Sequence, residues 1–284
     1  MHEGRSQWGL IILRFKKNRL AVAGLVIIAA LTILVLTAPL YADYNDAVLQ
    51  NIPNRLQSPS SEHIFGTDSF GRDLFTRIVF GGRISLFAGL AVVTSGLAFG
   101  TALGSIAGYF GGKTDTIIMR FVDIFMAVPP LLLSLAVVTA LGGGTFNLIV
   151  ALMVADIPRY ARIVRASILT LRGQEFIEAC HLYGTSHFRI IYKHILPNGI
   201  GPVIVTATLA LGTAILSIAA LGFLGVGVPA PTPEWGTIIA DNRMYIRHYP
   251  YLGIFPGIAI ALSVMSVNLI GDGLRDALDP KMKK

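Results

Sequence analysis

Leu20-Ala21-Val22-Ala23-Gly24-Leu25-Val26-Ile27-Ile28-Ala29-Ala30-Leu31-Thr32-Ile33-Leu34-Val35-Leu36-Thr37-Ala38-Pro39-Leu40 contains no charged side chain. A helix needs about 20 such residues to cross the hydrocarbon core of a bilayer. The basic run Arg14-Phe15-Lys16-Lys17-Asn18-Arg19 precedes it. The apolar stretch is too long for a signal-peptide core, and no small-residue cleavage site closes it. It reads as a retained anchor helix.

Five more segments have the same character: Ile84–Tyr109, Ile117–Leu141, Phe146–Arg165, Gly199–Val226 and Tyr251–Ile270. Pro and Gly within the last two are tolerated in membrane helices. No alternating strand pattern occurs, so the expected class is all-α with six transmembrane helices. Composition agrees: 54% of residues are hydrophobic and 14% charged, against about 25% charged in soluble domains. Mean hydropathy is +0.67.

Lys and Arg gather on the cytoplasmic side of membrane proteins. With the N-terminus inside, 17 of the 23 basic residues fall inside and 6 outside. Both termini are then cytoplasmic. The same rule accounts for the net charge of +7. Nucleic-acid binding would need a basic, aromatic-bearing soluble face, and none is visible. The expected organisation is an anchor helix with an external loop over 1–82, a transmembrane domain over 83–274 and a cytoplasmic tail over 275–284. Within it, 166–198 is a structured cytoplasmic loop and a candidate partner contact.

The second span carries Gly96, Gly100, Gly104, Gly108 and Gly112 at every fourth position. Such a stripe lets backbones approach closely. Packing within the chain is the plainer reading; a sliding interface with a second subunit is the other.

The loop holds Glu175-Phe176-Ile177-Glu178-Ala179-Cys180-His181-Leu182-Tyr183-Gly184, then His194-Ile195-Leu196-Pro197. Phe176, Ala179, Cys180 and Tyr183 share one apolar helix face. Glu175 and Glu178 lie where a helix dipole favours carboxylates. Gly184 suits the left-handed position that ends a helix. A short amphipathic helix of this kind lies on lipid or in the groove of a partner.

Glu178-Ala179-Cys180, Gly184 and the downstream Ile195-Leu196-Pro197 resemble the "EAA" loop of binding-protein-dependent ABC importers, with Cys180 for the second Ala and His194 where many members have Ile. Three further stretches resemble the dipeptide/oligopeptide/nickel permease group: Phe65–Asp73 with Gly82–Leu86, Leu221–Gly227 with Pro231–Gly236, and Asn268–Pro280. The resemblance implies the type I ABC importer transmembrane fold in a bacterial inner (cytoplasmic) membrane. It implies a second homologous permease, two ABC ATPases carrying ATP and Mg, and an external solute-binding protein as partners, with no cofactor on this chain. It also implies that Glu175, Phe176, Glu178, Ala179, Cys180, Leu182, Tyr183 and Gly184 couple the chain to the ATPases. Peptides are the expected cargo, with nickel or another small solute as the alternative.

Asp156 falls inside the fourth span, where ionisable residues face a cavity or a partner. It either lines the solute path, meeting a peptide amine, or pairs with Arg159 or Arg162; the pair is the plainer reading. Asp123 is expected at the membrane interface. Other chemistry is set aside. Ala107-x-x-x-x-Gly112-Lys113-Thr114 fits a permissive phosphate-loop pattern but ends a membrane helix. His181, His187 and His194 beside Cys180 lack zinc-site spacing. Hydrolase motifs are absent, and no inverted repeat of a secondary transporter is evident.

Overall fold

The structure is a computed structural model that describes residues 7–278. Arg5, Lys281, Lys283 and Lys284 of the charge count lie outside the described residues, as do Asp279 and Pro280. All regular structure among the described residues is helical. The helices relevant to function are α1 (Gln7–Lys17), α2 (Arg19–Leu36), α3 (Tyr44–Val48), α4 (Leu74–Phe110), α5 (Gly112–Met126), α6 (Pro130–Leu141), α7 (Thr145–Leu171), α8 (Glu175–Leu182), α9 (His187–Arg189), α10 (Leu196–Phe223), α11 (Trp235–Asn242) and α12 (Tyr251–Leu278).

Asn18 separates the basic α1 from the apolar α2; its side-chain oxygen accepts from the Leu20 and Ala21 amides and starts the second helix. A tighter seam joins α4 to α7. Gly100 lies under Tyr160, Gly104 against the Ala161 carbonyl and Gly108 against Ile168, with no room for a Cβ at the first two. The stripe therefore packs within the chain. Gly112 is not part of it: it opens α5, and a Cβ there would meet nothing. Val92, Leu148, Tyr160, Ile218 and Leu221 form the core where α4, α7 and α10 converge.

Among the described residues, four helices are long and apolar enough to cross a membrane: Arg19–Leu36, Leu74–Phe110, His187–Phe223 and Tyr251–Leu278. The expected third span is not one straight helix. α5 and α6 meet at an 89° bend, because Pro129 and Pro130 drive the preceding residues out of the helical region and remove amide donors. Counting the bent pair gives five. α7 has 27 residues, about 40 Å at 1.5 Å per residue, but Asp156, Arg159, Arg162 and Arg165 lower its apolar character.

Two other boundaries differ from expectation. α4 begins at Leu74 rather than near Ile84, with the Asp73 carboxylate accepting from the Thr76 amide as its cap. The fifth span begins at His187, not Gly199; Ile190–Ile195 form a π-turn before α10. Pro197 supplies no backbone donor to the turn before it, and the wider turn satisfies the Ile191 carbonyl through the Leu196 amide instead.

The seam makes a prediction. Gly100→Leu should destabilise the purified protein in detergent by about 1–3 kcal/mol, the usual range for overpacking. Thermal unfolding checks this; an unchanged midpoint would show that α4 and α7 can separate without loss.

Candidate functional site

One end of the bundle carries the loop motif. α7 runs into α8 through Arg172, whose guanidinium donates to the Gly108 carbonyl at 3.0 Å and ties the turn to the end of α4. α8 closes as the sequence predicts. Gly184 has φ +69°; its amide donates to the His181 carbonyl and the Thr185 amide to the Cys180 carbonyl, the paired bonds of a left-handed helix stop.

The faces of α8 divide differently from the expected single apolar stripe. Ile177, only 1% exposed, packs into a cluster with Val164, Ile168, Ile190 and Ile195, and Cys180 lies half-buried against that cluster. Ala179 is half-buried. Outward stand Phe176 at 38% exposure and Leu182 and Tyr183 at 89% each. Glu175 and Glu178 are exposed. Ile177 and Cys180 thus anchor the helix while Phe176, Leu182 and Tyr183 are presented.

Two exposed aromatics extend this surface. Phe188 and Tyr192 stack with ring centroids 6.1 Å apart; their i, i+4 spacing is a signal the sequence reading did not use. Behind them the Tyr109 hydroxyl shares a 2.8 Å hydrogen bond with His187 Nδ1, with His181 alongside. The phosphate-loop look-alike is a helix–turn–helix corner, with Gly111 and Gly112 at positive φ.

Along α7 the charges have different fates. Arg165 forms a two-bond ion pair with Asp115, and Arg162 pairs with Asp123 at 2.7 Å. Asp156 pairs with neither Arg159 nor Arg162, contrary to the expected pairing. Its carboxylate has no hydrogen-bond or ion-pair partner among the described residues; it opens with Arg159 on a cavity of about 420 Å³ at the α5–α6 bend. Arg162 is taken by Asp123 of α5, while Arg159 lines the same cavity as Asp156 without bonding to it.

The other end is locked by buried charge. Buried Asp68 accepts from the Phe70 and Arg72 amides at 2.8 and 2.9 Å and from Arg72 Nε at 2.7 Å. Arg72 and Arg77, both buried, reach Asp241 at 3.0 and 3.1 Å. Asn242 accepts from the Ser69 amide at 3.0 Å. The Gly66–Asp73 motif is thus a turn that fastens the segment before α4 to α11. Gly71, at φ +76°, sits on the Asn51 carbonyl where no side chain fits.

The Leu221–Gly227 and Pro231–Gly236 stretches meet beside this lock. Buried Trp235 donates through its indole N–H to the Ile78 carbonyl at 2.9 Å. Glu234 accepts from the Thr237 amide and the Ser85 hydroxyl, both at 3.0 Å. Burial pushes its carboxyl above the ordinary range, and the hydrogen bonds oppose that shift.

A helical bundle with several apolar helices of membrane-crossing length is a multi-pass membrane protein. Comparison with known proteins assigns the family. Residues 100–284 match the family described as binding-protein-dependent transport system inner membrane component. Residues 6–59 match the N-terminal TM domain of oligopeptide transport permease C. The chain belongs to the family of inner membrane components of binding-protein-dependent transport systems.

The dipeptide transport system permease protein DppC of Alkalihalophilus pseudofirmus is 50% identical over 98% of this chain and 91% of its own length. The oligopeptide permease OppC of Bacillus subtilis is 42% identical over 98% of this chain and 91% of its own. The glutathione permease GsiD of Escherichia coli is 42% identical over 98% and 92%. A chain of the MetNI methionine ABC transporter in its inward-facing conformations shares the fold, with TM-score 0.60 and 22% identity over 72% of this chain and 98% of that one.

Removing one partner of a buried ion pair costs about 3–5 kcal/mol. Asp68→Ala should therefore loosen the segment before α4 and speed its proteolysis in the purified protein. Cleavage at the wild-type rate would show that the buried charges are not what holds it.

Proposed function

We propose that the chain is the permease subunit of an ATP-driven, binding-protein-dependent importer of di- or oligopeptides in a bacterial inner membrane. The observation that carries this is the 50% identity, over 98% of the chain, to a dipeptide permease. In this reading the chain crosses the membrane six times: the four apolar helices, the bent α5–α6 pair and the charge-bearing α7. Both termini are cytoplasmic, and the fold is that of type I ABC importers.

The chain forms half of the translocation pathway and catalyses no reaction. A second homologous permease forms the other half, two ATPase subunits bind ATP and Mg, and an external binding protein delivers the solute. α8 is the coupling helix. Phe176, Leu182 and Tyr183 enter a groove of the ATPase, Glu175 and Glu178 meet its rim, and Ala179 and Cys180 seat the helix on the permease. Gly184 sets the angle at which it stands. Nucleotide can drive the cycle only if α8 contacts the ATPases differently in the inward-open and outward-open states.

The exposure of Leu182 and Tyr183, 89% each, supports this role. An exposed large apolar pair rimmed by polar residues marks an interaction site. A β-branched residue at Gly184 is penalised by the positive φ alone, since no atom lies near its missing Cβ.

Cells lacking this chain, with its partners intact, should lose uptake of labelled dipeptides. The wild-type chain should restore it, and Gly184→Val and Glu178→Lys should not, although both insert in the membrane. Full uptake by either variant would remove the coupling role; unchanged uptake without the chain would remove dipeptides as its cargo.

A further inference from the structure

Asp156 and Arg159 stand apart from the other charges of α7. Arg162 and Arg165 are each answered by a carboxylate of α5, whereas neither Asp156 nor Arg159 has an ion-pair partner among the described residues. Asp156 lies eleven residues into α7, about 16 Å along the helix. That is near the middle of a hydrocarbon core about 30 Å thick. Charges at such depth are costly, and they face a water-filled cavity or a partner.

A cavity is present. Asp156 and Arg159 line about 420 Å³ of space at the α5–α6 bend, together with Ser134, Thr213 and Ser217. Ligand sites commonly fall at about 300–1,000 Å³, with apolar walls and a few convergent polar groups. This one has such walls, from Met126, Leu152 and their neighbours. Residues three apart on a helix share a face, with Cβ atoms about 5–6 Å apart. One negative and one positive group therefore open side by side on the same space.

From this juxtaposition we infer that the cavity is a transit site for the zwitterionic ends of a peptide. Asp156 accepts from the protonated amine and Arg159 donates to a carboxylate. The inference rests on the peptide-importer reading and adds a selection step inside the membrane to whatever the binding protein selects. A solute carrying both charges compensates the two unpaired groups, while a neutral solute leaves both without partners.

The test uses the complete transporter, with both permeases, the ATPases and the binding protein, in proteoliposomes. ATP-driven uptake of labelled dialanine and ATP hydrolysis are measured together for wild type, Asp156→Asn and Asp156→Glu. Asp156→Asn should lower uptake about tenfold while hydrolysis stays within about twofold, the scale of one lost charge-assisted hydrogen bond. Asp156→Glu, which keeps the charge, should recover about a third or more of wild-type uptake on the same scale. Wild-type uptake by Asp156→Asn would overturn the inference. So would equal loss in both variants, through failed assembly or slow turnover, because the carboxylate would then be a packing element. A wild-type transporter that takes up no dialanine would remove dipeptides as the cargo, and this site with it.

Discussion

The contact between α4 and α7 is the constraint on which the rest depends. Where Gly100 and Gly104 meet Tyr160 and Ala161, only a hydrogen fits between the helices. Within a bilayer, lipid tails are as apolar as leucine, so helix association rests on such close van der Waals contact. The seam fixes the rotation of α7. That rotation turns Arg162 and Arg165 toward the carboxylates of α5 and leaves Asp156 on the cavity. It also fixes where α7 ends, and hence where α8 hangs.

The bundle is joined by buried charge at one end and presents a surface at the other. At the first, buried Asp68, Arg72 and Arg77 and half-buried Asp241 form one charge cluster, joining the segment before α4 to α11. Such a set is formally neutral, and its value lies in specifying one arrangement as much as in net stability. At the second, Ile177 and Cys180 seat α8 while Leu182 and Tyr183 stand free. The proposed transit cavity lies between the two, at the break where α5 and α6 turn away from each other. Motion of α8 would reach it through α7, a single helix that carries Pro158 beside the cavity.

Much of this was legible in the sequence, for reasons that also mark the limits. Apolar runs report lipid or core, so the principal helices were visible. Length alone hid the break at Pro129-Pro130, although the proline pair carried the signal. The start of α4 was missed because Thr76 and Arg77 read as polar loop; their burial depends on Asp73 and Asp241. The Gly66–Asp73 motif had no reading because Asp241 and Asn242 lie some 170 positions away, as with Ser69 and Asn242 at 173. Asp156 was assigned to neighbours in its own helix, whereas the carboxylates serving Arg162 and Arg165 come from α5. Helical spacing foretold the existence of α8 and its glycine stop. It did not foretell which apolar residues face inward, since that is set by Ile168, Ile190 and Ile195 from other segments.

Site-specific photo-crosslinking tests the coupling claim most directly. A photoreactive residue at position 183 of the assembled transporter should capture an ATPase subunit, and one at position 177 should give only crosslinks within this chain. Capture from position 177, or none from position 183, would contradict the account, because the exposed face of α8 would then not be the face that meets the motor.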